Sequence, residues 1–449
     1  MTTAPQNPSA LVVDLYELTM MQAYHLNGIE GRATFDLFVR RLPANRDFLL
    51  LAGLGTVLEH LEQIRFTASD LEYLDSLGHF RTEFLDLLGQ LRFSGDIAAM
   101  PEGTVAFAGE PILRVTAPII EAQLLETVVM NLVHLQTLIA SKAARVVLAA
   151  DGRGLVDFGL RRTHGTESGL LGARASRIAG FDSTSNVEAG HCFDIPVTGT
   201  MAHSYVQALD DEEKAFRSFV EAYPETVLVV DTYDTIRGVE RVIALAEKLG
   251  DNFRVRAIRL DSGDLVALAG ATRERLDAAG LERVQIFASG NLDEYRVQEL
   301  VRSGAPIDAF GIGTRLGTSE DAPNLDIVYK LAQLDDQPLL KLSPDKATLP
   351  GVKQVWRDED NDGVVVRDTV GLADEDLPGR PLLVPVMESG RRLPSGGESL
   401  DAARDRASHE LRRLLPAMRR LETGLEPYPV KVSKQLQLLR DEVASQAQK

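Results

Sequence analysis

The sequence predicts an α/β protein: an irregular (β/α) barrel packed on a split α+β domain. Three observations lead there. Six segments share one design, an apolar, β-rich run ending in small or polar residues: 155–162, 192–200, 226–234, 254–264, 284–291 and 307–314, with a weaker seventh at 178–186. Helical patterns lie between several of them, which makes βα units and parallel strands. No Gly-x-Gly-x-x-Gly opens a helix after the first run, so a doubly wound dinucleotide-binding sheet is the weaker alternative.

Taken in order, 15–25 reads as a helix, and 33–39 alternates like an antiparallel strand. The stretches 48–64 and 68–91 are helical by period, and 109–117 reads as a strand. Within the barrel, 236–249 places Val239, Val242, Ile243 and Leu245 on one face, with Gly250 as a stop. The stretches 265–279 and 293–302 read likewise. Beyond Leu331 the chain turns rich in Pro, Gly and Asp, with short strands such as 363–367 and an amphipathic helix at 400–421. The expected domains are residues 1–130, the first part of the α+β domain; 131–329, the barrel with the active site; and 330–449, the second part with the C-terminal helices. Asp358 to Asp362 looks like a piece of an EF-hand loop without the rest of it, so a solvated hairpin turn is expected there.

Composition narrows the function classes. The chain has 449 residues, 44% hydrophobic and 25% charged, as in a soluble globular protein. Its net charge of -18 argues against a nucleic-acid partner, which would require a basic face. A local Arg cluster still permits an anionic small substrate. The single Cys192 excludes an internal disulfide and a multi-Cys zinc site, and it suits a reducing compartment. Residues 1–10 lack a basic then apolar leader. No apolar run of about 18 residues stands out, so no membrane span and a cytoplasmic location are expected.

Residues just past barrel strands point into one shared mouth. Here they are Arg161, Arg162 and His164; Asp182 to Asn186; Thr198, Thr200 and His203; Asp231 and Asp234; Arg259, Asp261 and Asp264; Ser289, Gly290 and Asn291; and Gly311 to Arg315. A histidine three residues past Thr200 can shuttle protons, ligate a metal or accept a phosphoryl group. The plainer reading is a satisfied histidine near a helix start. Gly290, Gly311 and Gly313 let backbone N–H groups approach oxyanions, and helix starts add a favourable dipole. Alternatively they only serve tight turns. Arg259 and Asp261, two apart, share one strand face. With Asp264, two carboxylates there can hold ribose hydroxyls or the waters around Mg²⁺; an Arg–Asp pair inside the mouth is the alternative. No His/Cys group has zinc spacing, so no tightly held metal is expected.

These residues carry a resemblance. Asp14-Leu15-Tyr16-Glu17-Leu18-Thr19-Met20 resembles the N-terminal signature of the nicotinate phosphoribosyltransferase family. Asp157-Phe158-Gly159-Leu160-Arg161-Arg162, Gly180 to Asn186, Gly199-Thr200-Met201-Ala202-His203-Ser204, Arg259 to Asp264 and Gly311-Ile312-Gly313-Thr314 follow in the family's order. Phe35 to Pro43 and Tyr428-Pro429-Val430 also fit, so the resemblance spans nearly the whole chain. Val13 stands where the family often has Thr, and 163–164 reads Thr-His; neither Val13 nor His164 receives a role.

The resemblance implies a type II phosphoribosyltransferase acting as a homodimer with a composite active site. Nicotinate and 5-phosphoribosyl 1-diphosphate would give nicotinate mononucleotide and diphosphate, for NAD synthesis. ATP would be a co-substrate, hydrolysed through phosphorylated His203, with Mg²⁺ held loosely with substrate. It implies that Tyr16, Thr200 and Arg259 contact nicotinate and that Thr314 contacts the donor; Phe158 and Asp182 are expected beside the base as well. Arg161, Asp261, Asp264, Gly290, Asn291, Gly311, Gly313 and Thr314 would serve the phosphoribosyl donor. Chemistry agrees, since a flat anion suits an aromatic stack with an Arg fork. Rival readings are a nicotinamide or quinolinate enzyme, a sugar-phosphate lyase or isomerase, and a non-catalytic binding barrel. The lyase or isomerase reading calls for a strand-end Lys, which the runs lack.

Overall fold

The computed structural model describes residues 9–344, 346–421 and 427–447. Of the N-terminal stretch read above for a leader, residues 1–8 lie outside the described residues. The chain opens with α1 (Leu15–Leu26), β1 (Arg32–Val39), β2 (Leu49–Leu50), α2 (Leu54–Gln63), α3 (Ala68–Ser76) and α4 (Thr82–Gln90). Then come β3 (Asp96–Ala99), β4 (Val105–Ala106), β5 (Pro111–Pro118), α5 (Ile119–Leu124) and α6 (Glu126–Ala150). The middle carries β6 (Gly154–Asp157), α7 (Thr166–Ala179), β7 (Ser183–Thr184), α8 (Val187–Phe193), α9 (His203–Gln207), α10 (Glu212–Ala222) and β8 (Val227–Val229). It continues with α11 (Thr235–Leu249), β9 (Ala257–Leu260), α12 (Leu265–Ala278), β10 (Gln285–Ala288), α13 (Glu294–Arg302), β11 (Ala309–Ile312) and α14 (Thr314–Gly317). The last part holds β12 (Ile327–Leu334), β13 (Gln337–Pro338), β14 (Lys353–Glu359), β15 (Val365–Leu372), β16 (Arg380–Pro381) and β17 (Val384–Glu388). It ends with β18 (Arg391–Arg392), α15 (Leu400–Arg413), β19 (Val430–Val432) and α16 (Lys434–Ala447).

The chain forms two compact units. One is Lys142–Asp321; the other joins Met1–Ser141 to Ala322–Lys449. In the second, β1 is central in the sheet β13-β12-β1-β5-β3-β17-β18, antiparallel to both neighbours. Its alternation puts Ala33, Phe35, Leu37 and Val39 on one face. The opposite face is buried as well, which alternation alone does not predict. Asp36 there is 2% exposed and pairs with Lys353 at 2.7 Å. A cavity of about 460 Å³ in this unit is lined by Asp36, Arg40, Arg41, Lys330 and Lys353 among others, the cations each paired with a carboxylate.

In the Lys142–Asp321 unit, β7-β6-β11-β10-β9-β8 form one parallel sheet. Its curl is continued by an irregular segment. Thr184 N–H donates to Pro196 O at 3.1 Å, Thr198 N–H to Thr184 O at 3.0 Å, and Met201 N–H to Val227 O at 3.4 Å. Residues 196–201 thus run between β7 and β8 as a poor strand, with a single bridge at Val197. This corrects the strand expected at 192–200. Asn186 caps α8 by accepting from Ala189 N–H, so helix runs to Phe193. Asp194 then turns left-handed, and Pro196 has no N–H to give a ladder.

Smaller corrections follow local breakers. The helix expected over 48–64 begins at Leu54, because 49–50 pair with β4 and Gly53 turns at φ +107. A side chain at Gly53 would meet the Leu132 carbonyl at 2.7 Å. The helix over 68–91 splits into α3 and α4, with Gly78 at φ +69 between them. That over 400–421 stops at Arg413, shortly before Pro416. The acidic run at 358–362 is the β14–β15 hairpin turn, with Asp360 accepting from the N–H groups of Asp362 and Val364. α6 is long and apolar enough, by length and composition, to cross a membrane. Most of it is buried inside the fold, and its Lys142 and Arg145 both pair with the buried Glu294.

Candidate active site

At the C-terminal ends of the parallel strands, residues from separate turns converge. His203 begins α9. Its Nδ1 lies 3.1 Å from Thr232 Oγ1, and its Nε2 lies 3.5 Å from Asp261 Oδ2. One turn past β8 and one past β9 therefore face the two ring nitrogens. Asp261 is fixed in turn. Its N–H donates to Asp231 Oδ2 at 2.9 Å, and its Oδ1 accepts from the Ser289 hydroxyl at 2.5 Å. Ser262 also donates to Asp231 Oδ2, at 2.8 Å, while Asp231 Oδ1 is buried without a hydrogen-bond partner.

Arg259 sits on β9, in register between Val229 and Phe287. Its Nε is buried without a hydrogen-bond partner. Burial pushes its pKa down, Asp261 and Asp231 act against that, and the charge of Arg161 adds to it. Two guanidiniums that feel each other beside an unsatisfied donor suit an anion. Phe158 follows β6 and packs on Phe287, ring centroids 5.7 Å apart. Asp157 holds that turn: it is buried, and its carboxylate accepts from Gly159 N–H at 2.8 Å and Thr184 Oγ1–H at 2.7 Å. Burial raises its pKa.

The glycines divide into different roles. Gly290 at φ +98 lies against Asp261; a Cβ there would be 2.0 Å from the Asp261 carbonyl. Asn291 follows at φ +55, a left-handed conformation that Asn tolerates. This turn is shaped for close approach. Gly311 is placed otherwise than expected. It lies within β11, paired with Val156, and a Cβ there would strike the Phe158 ring at 2.6 Å. Its missing side chain seats that ring rather than opening a phosphate turn. Gly313 caps α14, but that helix has four residues, too few for the dipole the sequence reading invoked. Thr314 Oγ1 instead accepts from Arg162 at 2.9 Å.

One expected residue, Asp182, is placed away from this cluster. Asp182 precedes β7, at the N-terminal end of its strand, and its carboxylate accepts from Leu155 N–H at 3.0 Å. The mouth lies at the other end. Asp264 is the N-cap of α12, accepting from Val266 and Ala267 N–H groups. Tyr16 belongs to the other unit, half-exposed on α1, where burial and then Glu126 raise its phenol pKa. Thr200 lies in the irregular 196–201 segment and donates to Met201 O. Arg161 is exposed on the turn after β6. Arg315, read as an alternative anion group, is held by Asp293 and lies 3.2 Å from Glu320. The sequence reading placed Asp231 and Ser289 in the mouth without a specific role, and it singled out neither Thr232, Phe287 nor Asp157 for the site. Each stands at or just past a strand end, the one signal that marks them. Among the described residues no group of three His, Cys, Asp or Glu side chains could hold a metal ion.

An unpartnered guanidinium nitrogen and a half-exposed histidine, gathered at the C-terminal strand ends of a curled parallel sheet, stand where a barrel enzyme keeps its site. Comparison with known proteins narrows this. Residues 11–134 match the nicotinate phosphoribosyltransferase (NAPRTase) N-terminal domain, and residues 154–353 match the nicotinate phosphoribosyltransferase (NAPRTase) family. The chain is 53% identical over 428 residues to nicotinate phosphoribosyltransferase pncB2 of Mycobacterium tuberculosis, covering 95% of this chain and 92% of that protein. It is 44% identical to nicotinate phosphoribosyltransferase of Bacillus subtilis over 357 residues, 78% of this chain and 73% of that one. The crystal structure of human nicotinic acid phosphoribosyltransferase superposes with a TM-score of 0.86 at 31% identity, covering 96% and 99% of the two chains. The chain belongs to the nicotinate phosphoribosyltransferase family.

Proposed function

We propose that the mouth of the parallel sheet is the active site of a nicotinate phosphoribosyltransferase whose reaction is coupled to ATP through His203. Nicotinate and 5-phosphoribosyl 1-diphosphate give nicotinate mononucleotide and diphosphate, a step toward NAD. The pyridine nitrogen attacks the anomeric carbon with its lone pair, the carbon–oxygen bond breaks, and diphosphate leaves with that electron pair. No proton moves at the base, so positioning and anion binding supply the rate.

The observation that carries this reading is Arg259, a half-buried guanidinium with an unpartnered Nε beside the Phe158–Phe287 pair. A carboxylate on a flat ring fits that place. Arg161, Asp261, Gly290, Asn291, Gly313 and Thr314 serve the phosphoribosyl donor, and Thr200 borders the base. Tyr16 covers the pyridine ring from a second subunit; Leu15, Tyr16 and Met20 are exposed apolar side chains of α1. No protein ligand is assigned to Mg²⁺, which enters as the counter-ion of the diphosphate. The amide reading loses support, because Asp182, the group considered for an amide, accepts from Leu155 N–H. The cytoplasm is the proposed location, since a lone cysteine suits a reducing compartment.

For ATP, a ring nitrogen of His203 attacks the γ-phosphorus and ADP leaves; water later splits the N–P bond to release phosphate. The added phosphate brings close to two negative charges, which can recruit the nearby guanidiniums. The test is a product assay with nicotinate and nicotinamide in parallel, with and without ATP, together with γ-labelled ATP. The expected result is preference for nicotinate and an acid-labile label lost in His203→Ala. A label that survives His203→Ala, or none at all, overturns the ATP coupling. Mixing Tyr16→Ala with His203→Ala protein should restore part of the activity; verified heterodimers that stay inactive overturn the composite site.

A further inference from the structure

We infer that Ser289 is a positioning residue that sets the Asp261 carboxylate against the His203 ring. This rests on the reading that His203 takes the phosphoryl group.

Ser289 directly follows β10 and is 2% exposed. Its N–H donates to Leu260 O at 2.9 Å, so its backbone is tied to the end of β9. Its hydroxyl donates to Asp261 Oδ1 at 2.5 Å. Gly290, next in the chain, presses on the Asp261 carbonyl where no side chain would fit. The Asp261 N–H is held by Asp231. A carboxylate rotates about its Cβ–Cγ bond unless an oxygen is pinned. Ser289 pins Oδ1, and that leaves Oδ2 facing His203 Nε2 at 3.5 Å. The Thr232 hydroxyl stands at Nδ1 on the other side. A hydroxyl can donate or accept, so it does not choose the tautomer by itself. An ionised carboxylate only accepts, so the orientation of Asp261 decides which ring nitrogen keeps the proton and which is left as the nucleophile. Ser289 fixes that orientation from inside the fold, one residue removed from the ring it governs.

The test uses the full chain with Ser289→Ala, which deletes the donor and adds no bulk, and Ser289→Cys, which keeps the shape with a weaker donor. Two quantities are read: the rate of His203 labelling by γ-labelled ATP, and the ¹⁵N NMR signature of the ring tautomer in the protein alone. Ser289→Ala is expected to slow labelling about tenfold, the size of one charge-assisted hydrogen bond, and to shift the tautomer ratio. The KM for nicotinate should change less than about twofold. Ser289→Cys should fall between Ala and wild type in both readouts. An unchanged tautomer ratio in Ser289→Ala overturns the inference, as does an equal loss of labelling in both variants with a matching loss of thermal stability. Wild-type protein that takes no label on His203 overturns the ATP reading; the ring spectrum then still decides whether Ser289 governs the imidazole.

Discussion

Two clusters of charge in this protein look alike in composition and differ in how far they are satisfied. In the unit containing β14 and β15, Arg357 is 1% exposed, bonds to both oxygens of Asp368 and reaches Glu410 at 2.8 Å. Tyr428 adds a hydrogen bond to Asp368 at 3.0 Å, and Arg380 adds an ion pair to Glu410. Each nitrogen of that guanidinium has a carboxylate partner, and the group is buried. At the mouth of the parallel sheet, Arg259 keeps an unpartnered Nε, Asp231 keeps an unpartnered Oδ1, and His203 stands half-exposed. A buried charge that finds all its partners inside the chain holds the fold. One left short of partners at the strand-end mouth can be completed by a ligand, which then offsets the desolvation it suffers.

The largest effect is expected from breaking the buried cluster. Asp368→Ala leaves Arg357 buried without its main partner and should cost about 3–5 kcal/mol of stability, read as a fall in the urea midpoint. A loss below about 1 kcal/mol, the range of an exposed pair, would show that this cluster is not buried in solution.

Glu17 tests an intermediate case, a buried carboxylate of α1 with one oxygen bonded to Thr127 and the other unpartnered. Burial raises its pKa from 4.5 to about 7, and Glu126, on whose side Lys330 sits, adds to the rise. The folded chain therefore binds this proton more tightly than the unfolded one. The stabilisation is complete below the unfolded pKa and is lost as pH rises through about 7. By linkage the loss amounts to about 3 kcal/mol. Glu17→Gln should flatten that slope and melt higher than wild type at pH 8, with little difference at pH 4. Identical slopes in the two proteins would remove Glu17 from the account.

At the open cluster, Arg259→Gln should leave stability nearly intact. It should raise the KM for nicotinate about 10- to 150-fold, from a charge-assisted contact of about 1.5–3 kcal/mol. The KM for the phosphoribosyl donor should move less, and the gap between nicotinate and nicotinamide should narrow. Equal rises in both KM values would make Arg259 a phosphate group instead. The smallest effect concerns Asp264. As the N-cap of α12, its replacement by Ala should cost about 1 kcal/mol, and Asp264→Ser should recover most of it. If the donor's KM rises in both variants regardless of stability, Asp264 also holds the donor, as the sequence reading had it.

Much of this was legible in the chain. Runs of β-rich residues separated by 3.6-period patterns place the parallel strands and their helices, because periodicity is local. Asp264, Asp234 and Asp293 cap the helices they precede, as residues of that type do wherever a helix starts. The positions of Arg259 and Asp261 in one mouth follow from the direction of β9, whereas His203 is placed by the irregular segment before it. Other features depended on what each residue meets across the sheet. Asp182 follows an apolar run and looks like a strand-end residue, yet the register of β7 on β6 puts it at the N-terminal end. Gly311 looks like part of a phosphate turn, and only the Phe158 ring above it shows why no side chain is allowed. The 196–201 segment is ordered by bonds to Thr184 and Val227, which are distant in sequence. Ser289 is read into the mouth as a strand-end residue, but its bond to Asp261 exists only because β10 lies beside β9. The sequence by itself determined which residues form strands and helices and which types stand at their ends. The tertiary structure decided which charges are saturated and which are left open, because a hydrogen-bond count is a property of neighbours in space and not of neighbours in the chain.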